Sequence, residues 1–247
     1  MKRHPRLVLI CVLLLVLAVL GVHRAAAQTT ARRTAISSAV RAAAREAQAL
    51  RVVVSIDSRR LWVLSDSGDT LLAAAVAVGS GRTLRAGGNR WTFATPRGIR
   101  TVLSKEEDPI WIRPVWAFVE VARSHRLRLD SLSAGHSTTI TDGRTLVVRS
   151  GRVGIVGTDG TFEVLPIDDE IVFGRTLYIP PIGTENRGMP GTLGRFRLNL
   201  GDGIGLHGTD DETSIGRAVT HGCLRLGDDD LQWVYDHVPI GTKVYMY

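Results

Sequence analysis

The chain has 247 residues, of which 44% are hydrophobic and 22% are charged, with 31 Lys and Arg against 24 Asp and Glu. This composition is ordinary for a globular protein, and it excludes extensive disorder, a collagen-like chain and a coiled coil. Four of the basic residues lie in an N-terminal segment that we expect to be removed. The remaining 27 basic residues barely exceed the 24 acidic ones, so nucleic-acid binding is not indicated.

Residues 1–27 have the features of a secretory signal peptide. A basic start precedes an apolar run of 16 residues over Leu7–Val22, and three alanines at 25–27 offer a cleavage site. A run of this length is short of the roughly 20 residues that span a bilayer. We therefore expect an exported protein, in the periplasm or cell wall, that meets the membrane only transiently through its signal peptide. An uncleaved anchor is the alternative.

Residues 28–50 are rich in Ala and Arg and predict a helical spacer. Its apolar side chains fall on one helical face but are mostly small, so we expect the spacer to be poorly packed. The members of this stripe are Ile36, Val40, Ala43, Ala47 and Leu50.

Residues 51–247 predict a single, mainly β domain, because short alternating apolar segments are separated by turn-forming pairs such as Asp142-Gly143. The opening strands fall within Val52–Val78. The later predicted strands are Ile99–Leu103, Thr145–Arg149, Val153–Val156, Phe162–Leu165, Thr176–Ile179, Gly194–Leu200, Ile204–His207 and Thr242–Tyr247. Two helices are predicted, Val115–His125 and Asp228–His237, and residues 183–192 are predicted to form a loop.

Cysteine usage points to a reactive thiol. Cys11 lies in the predicted signal peptide, so the exported protein would keep Cys223 alone, and an odd cysteine in an oxidising compartment indicates a reactive group or an intermolecular disulfide. A thiol becomes a useful nucleophile only with a base or positive charge nearby. His207 and His221 both lie within 17 residues of Cys223, which predicts a Cys–His site.

The residues around Cys223 supply the other groups that such chemistry needs. Gly222 permits the unusual backbone torsions of a nucleophile turn, and consecutive backbone N–H groups there can form an oxyanion hole. Arg225 can hold a substrate carboxylate with its forked guanidinium.

Two alternatives remain open from the residues alone. Cys223 can be an inert buried cysteine, or the two histidines and the thiol can bind zinc with Asp210 or Asp211 as a fourth ligand. The preferred interpretation needs neither a metal nor a cofactor.

The C-terminal motif resembles the signature of the L,D-transpeptidase catalytic domain (YkuD-like) family. The motif consists of His207-Gly208-Thr209, Ser214-Ile215-Gly216 and Thr220-His221-Gly222-Cys223-Leu224-Arg225. Segments outside the motif resemble the family as well, namely Val52–Val78, Thr95-Pro96-Arg97-Gly98, Leu193–Phe196 and Val238–Val244. The resemblance covers residues 51–247 and is patchy in 105–180, a segment that would then elaborate the substrate cleft.

The resemblance implies a single β-sandwich or barrel-like domain with a few short helices. It also implies that Cys223 attacks a peptidoglycan tetrapeptide donor, releases D-Ala, and passes the acyl group to an acceptor stem as a 3→3 cross-link. His207, rather than the nearer His221, would be the general base, and the Gly208 carbonyl would orient it. The backbone N–H groups of His221, Gly222 and Cys223 would line the oxyanion hole. Arg225 and Thr220 would bind substrate.

Other functions stay open at this point. Water as acceptor would make the protein an L,D-carboxypeptidase, and a protein amine would make it an anchoring transferase. A non-catalytic envelope-binding domain is a further alternative, which slow alkylation of Cys223 would favour.

Overall fold

The computed structural model describes the backbone of residues 5–140 and 142–247, and the side chains of residues 22–140 and 142–247. In these residues the α-helices are α1 (Pro5–Glu46), α2 (Val115–Ser124) and α3 (Asp228–His237), with 3-10 helices at Glu185–Arg187 and Glu212–Ser214. No helix in this described part is long and apolar enough to cross a bilayer. The predicted signal peptide, residues 1–27, lies largely outside the described side chains and stays a prediction.

The other regular elements of the described residues are short β-strands, which confirms the prediction of a mainly β fold. In chain order they are β1 (Arg51–Ser55), β2 (Arg60–Leu64), β3 (Thr70–Ala75), β4 (Val78–Gly79), β5 (Thr83–Ala86), β6 (Asn89–Thr92), β7 (Gly98–Thr101), β8 (Ser104–Glu107), β9 (Trp111–Ile112), β10 (Arg128–Ser131), β11 (Thr138–Thr139), β12 (Thr145–Arg149), β13 (Arg152–Val156), β14 (Phe162–Val164), β15 (Val172–Phe173), β16 (Thr176–Ile179), β17 (Gly188–Met189), β18 (Phe196–Asn199), β19 (Gly205–His207), β20 (Ala218–Thr220), β21 (Leu224–Arg225) and β22 (Lys243–Met246).

Two sheets and helix α3 enclose the main core. The first sheet has the order β3-β2-β1-β22-β7 and the second has the order β21-β19-β18-β8. Strand β1 pairs with β2 in antiparallel and with β22 in parallel orientation. The main core is the cluster that contains Val52, Val54 and Leu61 from the first sheet, Leu206 from the second, and Leu231 from α3.

Side-chain alternation in the second sheet separates this core from the predicted site. Leu206 pairs with Leu198 on one side and with Leu224 on the other, and all three are buried in the main core. Because successive residues of a strand point to opposite faces, the neighbouring His207 points to the opposite face of the sheet. Leu198, Leu206 and Leu224 therefore fix in the main core the same strands that present His207 on the other face.

The end of α1 packs on the outer face of the first sheet. Val40 and Ala44 are 7% and 4% exposed and contact Val53 and Tyr245. The expectation that residues 28–50 are poorly packed is therefore wrong for the last turns of this helix, because small side chains let the helix approach the sheet closely.

Residues 128–179 form a separate β-insert with its own apolar cluster. One sheet has the order β10-β16-β15 and the other has the order β11-β12-β13-β14. Leu146, Val153 and Tyr178 belong to the cluster that these strands enclose. Helix α2 joins the insert to the rest of the domain, because its Phe118 packs on Leu177 of β16.

Candidate active site

A row of charged and polar residues crosses the second sheet on the face away from the main core. Strand pairing places Arg225 beside His207, His207 beside Arg197, and Arg197 beside Glu106. Cys223 lies two residues before Arg225, directly before β21, and its thiol forms a hydrogen bond with the backbone of Gly205. The fold thus brings His207, Cys223 and Arg225 into one site.

His207 is held in a defined orientation at the end of β19. Its side chain is buried, and its Nδ1 lies 2.6 Å from the carbonyl oxygen of Gly208. Since a carbonyl only accepts hydrogen bonds, Nδ1 carries the proton and Nε2 is left as a free acceptor. Burial lowers the pKa of His207 to about 4, and the guanidinium groups of Arg225 and Arg197 contribute in the same direction. The imidazole is therefore neutral at neutral pH.

Cys223 shares the electrostatic environment of His207. Burial raises the pKa of the Cys223 thiol, and the hydrogen bond with Gly205 and the charges of Arg197 and Arg225 oppose this shift. Its Sγ lies 3.5 Å from the carbonyl oxygen of Gly203 and is oriented to donate to it. The resting site thus holds a thiol and a neutral imidazole rather than an ion pair.

The turn that carries Cys223, residues 220–223, is held together by two threonine hydroxyls. Thr220 Oγ1 donates to the Cys223 carbonyl at 2.7 Å and accepts from the Gly222 N–H at 3.2 Å. Thr95 Oγ1 donates to the Gly222 carbonyl at 2.9 Å and accepts from the Gly79 N–H at 2.8 Å. Thr220 is 2% exposed, so its hydroxyl is part of the turn and is not directed to solvent.

Glycine is required at two backbone positions of the site. Gly222 has φ +132°, and a Cβ there would lie 3.3 Å from the carbonyl oxygen of Ala94. Gly194 has φ +67°, and its Cβ would lie 2.7 Å from Cα of Gly208. The second close approach holds the segment after His207, including the carbonyl that orients the imidazole.

The two arginines of the row differ in their partners. Arg197 pairs with Glu106 at 3.1 Å. Arg225 has no acidic partner among the described residues; its Nη1 lies 3.5 Å from Ser214 Oγ, and its Nε is buried without a partner. Of the two guanidinium groups, that of Arg225 is therefore the one without a carboxylate partner in the described part of the chain.

The side chain of His221 contacts helix α2, which contains none of the motif residues. Its Nε2 lies 2.7 Å from Glu120 Oε2, and its ring stacks on Trp116 with centroids 4.1 Å apart. Neither residue was identified from the sequence, because both lie on α2 within the segment where the resemblance is patchy. In the part of the chain with described side chains, no three His, Cys, Asp or Glu residues are grouped to hold a metal ion.

Comparisons with known proteins support the resemblance. The family model of the L,D-transpeptidase catalytic domain matches residues 49–246. The probable L,D-transpeptidase ErfK/SrfK of Salmonella typhimurium is 38% identical over 72 residues, covering 29% of this chain and 22% of that protein. The probable L,D-transpeptidase YbiS of Escherichia coli K12 is 35% identical over 66 residues, covering 27% and 20%. The chain thus matches about a fifth of the length of these relatives.

Solved structures with a similar arrangement include an L,D-transpeptidase from Xylanimonas cellulosilytica. The TM-score is 0.43 at 16% identity, over 82% of this chain and 62% of that one. An L,D-transpeptidase from Mycobacterium smegmatis has a TM-score of 0.41 at 19% identity, over 80% and 58%.

Proposed function

The chain belongs to the family of L,D-transpeptidase catalytic domains, and from that premise we propose that it transfers acyl groups between peptidoglycan stem peptides through a thioester on Cys223. The observation that carries this proposal is the neutral His207. Its Nδ1–H donates to the Gly208 carbonyl, and its imidazole interacts with the same two guanidinium groups as the Cys223 thiol, those of Arg197 and Arg225.

The first half of the reaction forms the thioester. His207 Nε2 takes the Cys223 proton as Sγ bonds to the carbonyl carbon of the third residue of a tetrapeptide stem. The resulting tetrahedral oxyanion collapses, the bond to the terminal D-Ala breaks, and the His207 imidazolium returns its proton to the leaving amine. Because thiol and imidazole are both neutral at rest, the proton moves only when a donor carbonyl is in place.

The second half of the reaction reverses these roles. An acceptor amine from another stem attacks the thioester while His207 removes its proton, and Cys223 leaves as a thiol. With the amine of a third stem residue as acceptor, the product is a 3→3 cross-link. Water as acceptor would give a shortened stem instead.

The geometry of the turn supports a narrower oxyanion hole than the motif implies. The N–H of Gly222 already donates to Thr220, which leaves the N–H groups of His221 and Cys223 to bind the oxyanion. We assign Gly222 to the backbone torsion of the turn. We assign Thr220 to positioning rather than to direct substrate contact, because its hydroxyl bonds only to the turn. Arg225 holds a carboxylate of the donor stem.

The test is mass spectrometry of the purified protein mixed with a disaccharide-tetrapeptide, with protein and muropeptide masses measured in one sample. We expect an adduct on Cys223 and a dimer that has lost one D-Ala, and neither with Cys223→Ala. Tripeptide without dimer would replace the proposal with carboxypeptidase activity. Unchanged tetrapeptide and unmodified protein would refute catalysis on this donor.

Slow alkylation of Cys223 does not separate an enzyme from a binding domain here. Since burial raises the pKa of the Cys223 thiol, an active enzyme without donor is also expected to react slowly with an alkylating reagent. Acylation by the donor is the measurement that distinguishes the two.

A further inference from the structure

His221 is held from two sides by side chains of helix α2 and its surroundings. Glu120 Oε2 lies 2.7 Å from Nε2, and the Trp116 ring stacks on the imidazole at an interplanar angle of 19°. Phe93 meets the same imidazole edge-on, with centroids 4.4 Å apart. These contacts fix both the plane and the rotation of a ring that lies two residues before the nucleophile.

The hydrogen bond to Glu120 also determines which ring nitrogen carries a proton. A carboxylate only accepts hydrogen bonds, so Nε2 of His221 is protonated and the neutral ring keeps its lone pair on Nδ1. The arrangement of His207 is the reverse, because Nδ1 of that ring carries the proton. The two histidines of the site therefore have opposite tautomers, each set by its own acceptor.

Helix α2 is itself held firmly in place. Phe118 is 1% exposed, and the guanidinium groups of Arg113 and Arg187 lie 4.5 and 4.9 Å from the centre of its ring. Arg113 also pairs with Glu170 of the β-insert at 2.8 Å. Glu120 is thus brought to His221 by a helix that is fixed through the insert, and not by a mobile loop.

We propose that Glu120 is a positioning residue for the transpeptidase reaction: it fixes the tautomer and orientation of His221 and thereby the turn that carries Cys223. This inference rests on the proposed function. Glu120 touches neither the thiol nor His207, and it acts through the imidazole whose backbone N–H is one of the two left for the oxyanion. Under this proposal the insert supports the active site by holding α2 in place, and does not only form a wall of the substrate cleft.

A competing role for Glu120 is an ion pair with Arg82. These side chains are 3.7 Å apart, and Arg82 is 67% exposed, so the pair is screened by solvent and weak. Arg82→Gln removes this pair and leaves the bond to His221 in place. It is therefore the matched control. Glu163→Gln, which removes an exposed acidic charge elsewhere, on the insert, is a second control.

The experiment compares thioester formation on Cys223 in wild type, Glu120→Ala, Glu120→Gln and the two controls, at several donor concentrations. We expect the maximal rate to fall by about tenfold to a hundredfold in Glu120→Ala, with little change in the donor concentration at half-maximal rate. Glu120→Gln, whose amide oxygen still accepts from Nε2–H, is expected to restore most of the rate. Both controls are expected to match wild type.

A second readout does not depend on turnover. Nuclear magnetic resonance of ¹⁵N-labelled histidine reports which imidazole nitrogen is protonated. We expect a protonated Nε2 for His221 in wild type and a mixture of tautomers in Glu120→Ala. A wild-type rate and tautomer in Glu120→Ala would overturn the inference, as would an Arg82→Gln variant that is equally slow. A wild-type protein that forms no thioester refutes the proposed function instead, and the tautomer measurement still judges Glu120.

Discussion

Burial shifts the two central titratable groups of the site in opposite directions. It lowers the pKa of His207 and raises that of Cys223, because in each case the charged form loses its hydration. Both shifts favour the neutral pair. The site therefore holds a neutral imidazole and a protonated thiol. In the proposed reaction, this keeps Cys223 unreactive until a donor carbonyl group is bound.

The pKa of His207 predicts a pH-dependent stability. The unfolded chain binds a proton at His207 near pH 6.5, whereas the folded protein binds it only near pH 4, so stability present above pH 6.5 is lost as the pH falls toward 4. We expect His207 to account for a loss of roughly 2–3 kcal/mol between pH 7 and pH 4.5. Urea unfolding of wild type and His207→Gln at both pH values measures it. An equal pH dependence in the two proteins would contradict the prediction.

The site residues that lie close together in the sequence are the ones that the sequence predicts. His207, Gly208 and Cys223 are recognisable because the fold closes His207–Arg225 locally, through the pairing of β19 with β21. Glu120 reaches His221 from about a hundred residues earlier, and Thr95 reaches Gly222 from still farther. Such contacts depend on the packing of distant elements, which residue spacing does not encode.

The backbone of the loop before β18 passes close to the segment after β19, where Gly194 meets Gly208. The position of the Gly208 carbonyl depends on this close approach. We expect Gly194→Ala to push these segments apart, because its Cβ would lie 2.7 Å from Cα of Gly208. The expected result is a loss of about 1–3 kcal/mol in the free energy of unfolding beyond that of the control below, with a clear drop in the rate of Cys223 acylation.

The matched control for this change is Gly191→Ala in the same loop. Gly191 also has a positive φ, +78°, but a Cβ there meets nothing within 4 Å. It should therefore show only the backbone strain of about 1–2 kcal/mol that both variants share. Denaturant unfolding and acylation of both variants test the prediction, and equal effects would mean that the close approach does not matter.

Elements with clear alternation or clear helix signals were predicted well. Strands β12 and β16 and helix α3 have the predicted bounds. Strand β8, with the sequence Ser-Lys-Glu-Glu, was missed because it is a polar strand at a sheet edge, where one neighbour is enough. The interval 183–192 was predicted to be a loop, but it contains a 3-10 helix and β17.

At the scale of the whole molecule, the main core and the β-insert support different parts of the site. The main core supports the sheet of the site, and strand β16 of the β-insert packs on the helix that contacts His221. A separate apolar cluster in the insert is not predictable from the sequence, because the strands of the insert have the same length and alternation as those around the main core. Only their pairing separates them.

The stability of the whole domain should depend on β22, the strand between β1 and β7. Met246 of this strand is 0% exposed in the main core, so we expect Met246→Ala to lower the free energy of unfolding by about 2–5 kcal/mol. Ile240 is 61% exposed near the same strand, and Ile240→Ala should stay within about 0.5 kcal/mol of wild type. Thermal and denaturant unfolding compare the two, and similar values would contradict the central role of β22.

The parallel pairing of β1 with β22 has a consequence for the order in which the protein is made. During synthesis β1 leaves the ribosome early, but the neighbour that completes its sheet is translated after the segment that carries Cys223. Closing so long a loop is entropically costly, and the Val-rich edge of β1 stays unpaired on one side until then. Cys223 is therefore translated before the first sheet is complete, and this sheet can close only once residues 243–246 have left the ribosome.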